Sequence, residues 1–297
     1  MTRNLPALAL LTFCGLLFTL QNNTVAGDRP CATDRLEAIR QSLSSTASKP
    51  YAIHALRLGT SSRARRHLFI ADPSLPKRIS VSFAMWVIVG GGRRILVDTG
   101  FRNRRMVEKW HIETPRTPVE ALADAGIDAR DITDVVVTHG HWDHVGGIYQ
   151  FGHANIFIHK QVFGKLNGSG PLRRFLRRVK TSGDLRITRD IHPIAPGVAA
   201  VYAGRHAPGF QYVVVRNPDG YWVLASDIAP LRANFERGIP TGQTDNPRQT
   251  LCIQQTMTAL TDGRLDRIIP GHEPGIFEGN IDHVVLTAQE EAGGAAF

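Results

Sequence analysis

Apolar residues in this chain come in short, dense runs, most of them closed by glycine, proline or a polar residue. That rhythm predicts strands more often than long helices. "YAIHALRLGT" (51–60) reads as a strand, and a loop rich in Arg, Pro and Ser follows to about residue 80. "SVSFAMWVIV" (80–89), a Gly-Gly-Gly turn and "RRILVDTG" (93–100) predict a hairpin. Further strands are expected at "DVVVTH" (134–139), "ANIFIHK" (154–160), 198–203, "YVVVRN" (212–217), "YWVLAS" (221–226) and "RIIP" (267–270). Helical patterning occupies 31–48, 229–236 and 248–261, and "TPVEALADAG" (117–126) carries every boundary signal. Thr117 stands at the N-cap, Pro118 at the first helical position, Glu120 closes a capping box, and Gly126 ends the segment. Hairpins mixed with strand–helix units, in two halves and with no evident linker, indicate a layered α/β protein rather than a doubly wound parallel sheet.

Composition adds size and charge. The 297 residues are 42% apolar, enough for one large domain with a proper core, and the formal net charge is +9. Basic residues cluster at 62–67, 101–105 and 173–180. Solvated faces account for such clusters, and so does a basic lid over an anionic substrate. The start of the chain reads differently from the rest. Arg3, an apolar stretch from Leu5 to Leu20, and small residues at Thr24 and Ala26 have the layout of a secretory signal peptide removed after Ala26. The apolar core is shorter than the roughly 20 residues of a spanning helix and contains a proline. Residues 1–26 are therefore expected to be a leader, residues 27–297 one domain, and the product periplasmic or secreted, with no stable membrane span. Cys31 and Cys252 would then remain in an oxidising compartment, where they can pair.

The chemistry concentrates at "THGHWDHVGG" (138–147), directly after the apolar run "VVV". His139 and His141 are two apart and can face one side, Asp143 and His144 follow as the chain turns, and Gly146 and Gly147 permit a sharp bend. Imidazoles with one carboxylate suit zinc or a similar divalent ion. Four ligands crowded into six residues are more naturally split between two ions. Three more candidates repeat the pattern of a polar residue just past an apolar strand: His206 in "GRHAPGF", Asp227 closing "YWVLASD", and His272 in "IIPGHEPG". His54, His67, His111, His153, His159, His192 and His283 have no comparable setting.

With these residues in view, the chain resembles the metallo-β-lactamase superfamily. "THGHWDHVGG" matches its H-x-H-x-D-H signature, "ILVDTGF" its upstream strand with Asp98 as a buried carboxylate behind the ligands, and "RHAPGFQ", "LASD" and "PGHEPG" its later ligand positions. The separations of 62, 21 and 45 residues from His144 to His206, Asp227 and His272 are similar to those of the lactonase branch. The resemblance implies an αββα four-layer sandwich with two divalent metal ions, zinc foremost, at one sheet edge. It implies His139, His141 and His206 on one ion, Asp143, His144 and His272 on the other, and Asp227 bridging them. Two cations about 3.5–4 Å apart can activate a shared water, and Asp143 and Asp227 are the expected catalytic carboxylates.

The implied activity is hydrolysis of a lactone or ester, with N-acyl-homoserine lactones, the bacterial quorum-sensing signals, as the leading substrates (quorum quenching). The alternative is an organophosphate or aryl-ester hydrolase of the same fold. One departure stands out: where lactonases often carry a tyrosine three residues beyond the bridging aspartate, this chain has Pro230. The expected partner is thus a small-molecule lactone or ester. Nucleic acid is disfavoured by export and by the lack of a visible nucleic-acid domain.

Overall fold

A computed structural model describes residues 33–45, 50–166 and 170–287. The expected leader, its cleavage point after Ala26, and Cys31 lie outside the described residues. Among the described residues no helix is long and apolar enough to cross a membrane.

In chain order the regular elements are α1 (Thr33–Ser42), β1 (Ala52–Arg65), β2 (Arg78–Gly90), β3 (Arg93–Val97), α2 (Arg104–Lys109), α3 (Pro118–Asp124), β4 (Asp134–Val137) and α4 (Trp142–Val145). Then come β5 (Asn155–His159), α5 (Lys160–Leu166), α6 (Gly170–Ser182), β6 (Leu185–Thr188), β7 (Ile191–Ala195), β8 (Val198–Tyr202) and β9 (Gln211–Asn217). The last are β10 (Gly220–Ser226), α7 (Arg232–Glu236), α8 (Pro247–Leu260), β11 (Ile268–Pro270) and β12 (His283–Val285).

The strands form two sheets, one in the order β12-β1-β2-β3-β4-β5-β6 and one in the order β11-β10-β9-β8-β7. The first is antiparallel from β12 to β3 and parallel from β3 to β6. The second is antiparallel except where β11 runs parallel to β10. Strand alternation creates three apolar layers. On β2, Phe83, Met85 and Val87 face the outer core of the first sheet, while Ala84, Trp86 and Ile88 face the core between the sheets. On β9, Val213 and Val215 join that inner core, and Tyr212 and Val214 join the third layer with α1 and α8. Helices thus cover both outer faces, and the chain has the expected αββα sandwich. Each buried Val, Leu or Ile in these layers contributes about 1.5–3 kcal/mol of transfer free energy.

The sequence-predicted elements reappear with shifted ends. Thr117 and Glu120 form the expected capping box at α3. The loop after β1 begins later than expected, because β1 continues to Arg65 opposite Arg78. The basic segment 173–180 is the middle of α6, which buries Phe175, Leu176 and Val179 and exposes Arg174, Arg177 and Arg178. Short β6, β7 and β12, and helices α2 and α5, carried too little periodicity to be predicted.

Candidate metal centre

The site is assembled at the ends of strands from both sheets. β4 runs out at Val137 into Thr138 and His139, and α4 begins one residue after His141. The turn that follows α4 packs onto the segment leaving β3: Gly146 N–H donates to Gly100 O and Gly147 N–H to Thr99 O. A Cβ at Gly147 would lie 2.2 Å from Thr99 O, so this approach requires glycine. β10 ends at Ser226, and β11 ends at Pro270 beside it. Three non-glycine residues next to the site have positive φ: Asp98 (65°), Arg205 (69°) and Ser226 (47°). Such backbone is held only where surrounding contacts over-determine it, and it turns these side chains, or the ligand that follows, toward one point.

All seven candidate ligands meet there. The geometry groups His139, His141, His206 and Asp227 together, and Asp143, His144 and His272 together, with potential ligand atoms of each group within 4.8 Å of one another. Asp227 faces both groups. Its Oδ2 lies 3.3 Å from His206 Nε2 and 3.8 Å from His139 Nε2, and its Oδ1 lies 3.2 Å from both His144 Nε2 and His272 Nε2. Asp143 Oδ2 sits 3.7 Å from His144 Nε2 and 3.8 Å from His272 Nε2.

Hydrogen bonds behind the site fix which ring nitrogen points inward. His144 Nδ1 donates to Asp98 Oδ2 (2.7 Å), His206 Nδ1 to Gln243 O (3.1 Å) and His272 Nδ1 to Ser82 O (2.9 Å). Thr138 donates its hydroxyl to Asp98 Oδ2 and its N–H to Oδ1, both at 2.8 Å. Its oxygen is then left to accept from His139 Nδ1 at 3.1 Å. Four imidazoles therefore turn Nε2 toward the centre, and the fully buried Asp98 orients two of them, one directly and one through Thr138. His141 turns Nδ1 inward instead, 2.9 Å from His139 Nε2 and 3.1 Å from His206 Nε2.

This donor set fits divalent cations. Two lone pairs face one His141 nitrogen, which carries at most one proton, so a shared cation satisfies what hydrogen bonding cannot. His144 Nε2 and Asp227 Oδ1 are buried with no well-directed hydrogen-bond partner. They face each other 3.2 Å apart inside the ligand cluster, where a bound cation would satisfy both. The electrostatics agree. Burial, and then the neighbouring His144, push His139 well below its ordinary value; burial pushes His206 down to about 4 and lowers His141. Those three rings are held neutral, as ligation requires. Around His144 and His272 burial works in the same downward direction, but the Asp227 and Asp143 carboxylates outweigh it and raise both, with Asp98 adding to the effect on His144. Burial alone would raise Asp227; His144, His272 and His206 hold it well below the usual carboxylate range. That side is already arranged to hold positive charge.

A cavity of about 230 Å³ opens over the cluster, walled by Leu68, Phe69, Met106, Trp110 and Trp142, with Lys109 and Gln243 at its polar margin. Among the described residues none of α6 lines it. The aromatic wall is continuous with the outer core: Phe83 packs against Phe101, Trp110, Trp142 and His272. Sequence reasoning missed these wall residues and the carbonyls of Ser82 and Gln243, since a carbonyl carries no side-chain signature. Pro230, where a lactonase tyrosine was expected, contributes its carbonyl, which accepts the His272 N–H at 2.7 Å.

Known proteins share this architecture. The family model described as "Metallo-beta-lactamase superfamily" matches residues 84–272. An N-acyl homoserine lactonase from Bacillus cereus is 23% identical over 201 residues, covering 63% of this chain and 76% of the relative. Among solved structures, a quorum-quenching N-acyl homoserine lactone lactonase superposes with a TM-score of 0.65 at 18% identity, over 79% of this chain and 96% of the other. The hydrolase AbOPH of the beta-lactamase superfamily superposes with a TM-score of 0.58 at 17% identity, over 77% and 89%. Strand order, a histidine–aspartate metal-binding cluster and a family match that runs from β2 to His272, the last of the candidate ligands, converge on one conclusion: the chain belongs to the metallo-beta-lactamase superfamily.

Proposed function

We propose that this protein is an exported dinuclear-metal hydrolase that opens lactone or ester bonds, with N-acyl homoserine lactones as substrates. The observation that carries the reading is the position of Asp227, whose two oxygens face two separate groups of imidazole nitrogens. His139, His141 and His206 would hold one ion, Asp143, His144 and His272 the other, and Asp227 would serve both. When bound, a pair of zinc or similar divalent ions supplies Lewis acidity to a carbonyl and lowers the pKa of water.

The side chains do the rest. Asp98 holds the His144 ring and, through Thr138, the His139 ring in the tautomer that ligation needs. Phe69, Trp110, Trp142 and Met106 present an apolar wall for an acyl chain and exclude water from one side of the cluster. Asp143, on the cavity wall with its side chain 11% exposed, can take the proton released by the attacking water and pass it to the leaving oxygen as the ring C–O bond breaks. Similarity to homoserine lactonases supports the lactone as substrate, and the apolar segment from Leu5 to Leu20 supports export.

A pH-stat assay of the zinc-loaded protein over homoserine lactones, aryl esters, phosphotriesters and penicillins tests the class. Turnover of lactones is expected. Silence on lactones with turnover of phosphotriesters would move the assignment to the organophosphate hydrolases. Export is tested by the mass of the mature protein, expected to begin at Gly27.

A further inference from the structure

The basic segment at 62–67 leads to a second pocket, beside the metal centre and outside its ligand set. The pocket encloses about 220 Å³ and is lined by Arg63, Arg65, Arg78, Lys109, Trp110 and His111. Among the described residues no carboxylate lines it. Among the described residues none of its three arginines, nor Lys109, forms an ion pair, whereas Arg57 and Arg116 share Asp282, and Arg104 pairs with Glu108. Of the acids that flank 109–111 along the chain, Glu108 is held by Arg104 and Glu113 accepts from the Ser62 hydroxyl.

The cations are gathered there by the fold. Arg65 and Arg78 are directly opposite each other in the β1–β2 pair, an arrangement that destabilises a sheet unless something offsets it. Arg78 Nη1 donates to the Arg63 carbonyl at 2.9 Å, which brings its guanidinium across to β1. The end of α2 closes the other side: Ile112 N–H returns to Val107 O, and His111 takes a φ of 51°, turning residues 109–111 into the pocket wall. Lys109 and Trp110 line both this pocket and the cavity over the metal ligands, so the two are neighbours across those side chains.

Guanidinium groups clustered without carboxylates bind phosphate or carboxylate through paired, charge-assisted hydrogen bonds. We propose that this pocket receives a phosphate or carboxylate group carried by the substrate, away from the bond that is hydrolysed. The proposal rests on the hydrolase reading and narrows it to acyl lactones or esters with an anionic acyl chain.

The test uses the full-length, metal-loaded protein and two substrates of equal length, hexanoyl-homoserine lactone and its ω-carboxylated counterpart. Arg63→Gln combined with Arg78→Gln removes two pocket charges; Arg174→Gln combined with Arg177→Gln removes two from the exposed face of α6 as a control. The pocket variant is expected to lose about tenfold or more in kcat/KM for the carboxylated lactone, through KM, while changing the neutral one less than about twofold. The α6 control is expected to keep the wild-type preference. Equal wild-type turnover of both lactones, or an equal fall on both in the pocket variant, overturns the proposal. So does an α6 variant that loses the preference as fully as the pocket variant. Calorimetric titration with the ω-carboxylated lactam, which has no ester to hydrolyse, reads the pocket without turnover. Absence of lactam binding in the wild-type protein overturns the anion site. Lactam binding that is lost in the pocket variant, in a protein that opens neither lactone, overturns the hydrolase reading and leaves the anion site standing.

Discussion

The two ends of strand β4 bury polar side chains equally deeply and treat them in opposite ways. At its start, Asp134 is fully buried and all its needs are met internally. Arg93 Nη1 donates to both oxygens at 2.8 and 2.9 Å, Thr133 donates its hydroxyl at 2.7 Å, and Asn155 its amide at 3.1 Å. In the site beyond its other end, four of the five imidazoles donate outward through Nδ1 and leave their inner nitrogens facing one another and Asp227. Burying an unpaired polar atom costs free energy wherever it happens. A completed network accounts for that cost within the fold. An incomplete one, with its outer hydrogen bonds so carefully filled, accounts for it only when an outside group arrives. The difference between architecture and site therefore lies in which atoms remain unpartnered, not in burial or residue type.

The comparison breaks if the two ends respond alike to substitution. The largest effect is expected at the centre. Asp227→Ala and His141→Ala should each lower hydrolytic kcat/KM by roughly 10³-fold or more, equivalent to several kcal/mol of lost transition-state stabilisation. Metal content, read by elemental analysis, should fall from near two ions per chain, and a chelator should silence the wild-type protein in the same way. Circular dichroism should still show a folded chain. At the other end, Asp134→Ala should leave activity per folded molecule and metal content unchanged. It should cost about 3 kcal/mol in denaturant unfolding, because Thr133 and Asn155 lose a buried acceptor and Arg93 its partner. Asp98 stands between the two cases, fully bonded yet serving the centre. Asp98→Asn should weaken metal affinity by about 10–100-fold, measured by competition with a chromophoric chelator, with a smaller loss of stability than Asp134→Ala.

How much of this was legible in the sequence depends on distance along the chain. His139, His141, Asp143 and His144 are local, and spacing alone exposed them. His206, Asp227 and His272 were legible because each follows an apolar strand, so one rule placed all of them at the same sheet edge. The capping box at Thr117 was legible for the same local reason. What failed was long-range. Arg63 and Arg65 read either as solvated charge or as a basic lid, and Arg78 as part of a loop; only the β1–β2 register and the end of α2 gather them beside Lys109. His111 was set aside as ordinary because its position in a pocket wall depends on a backbone turn that no pattern encodes. β12 has three residues and no periodicity of its own; it exists because the edge of β1 is available to pair with it.

That edge supplies the smallest and sharpest test. His54 on β1 and His283 on β12 stack with ring centroids 5.1 Å apart, His54 Nδ1 lies 2.8 Å from His283 Nε2, and His54 Nε2 is buried without a partner. The pair thus looks like a miniature of the metal centre, but among the described residues no carboxylate completes it; the adjoining Asp282 is engaged by Arg57 and Arg116. Burial, and then the neighbouring His283, lower the pKa of His54 from 6.5, and burial lowers that of His283. A histidine with a depressed folded pKa favours the folded state fully above the unfolded value and loses that contribution as pH falls through the folded pKa. Between about pH 7 and pH 5 the wild-type chain should therefore lose protection of the β12 amides in hydrogen exchange. His54→Gln, which cannot charge, should show a flatter profile with metal content unchanged. Equal loss in both chains would mean that the two imidazoles are as fully satisfied as Asp134, and that an unpartnered buried nitrogen does not by itself separate a site from a scaffold.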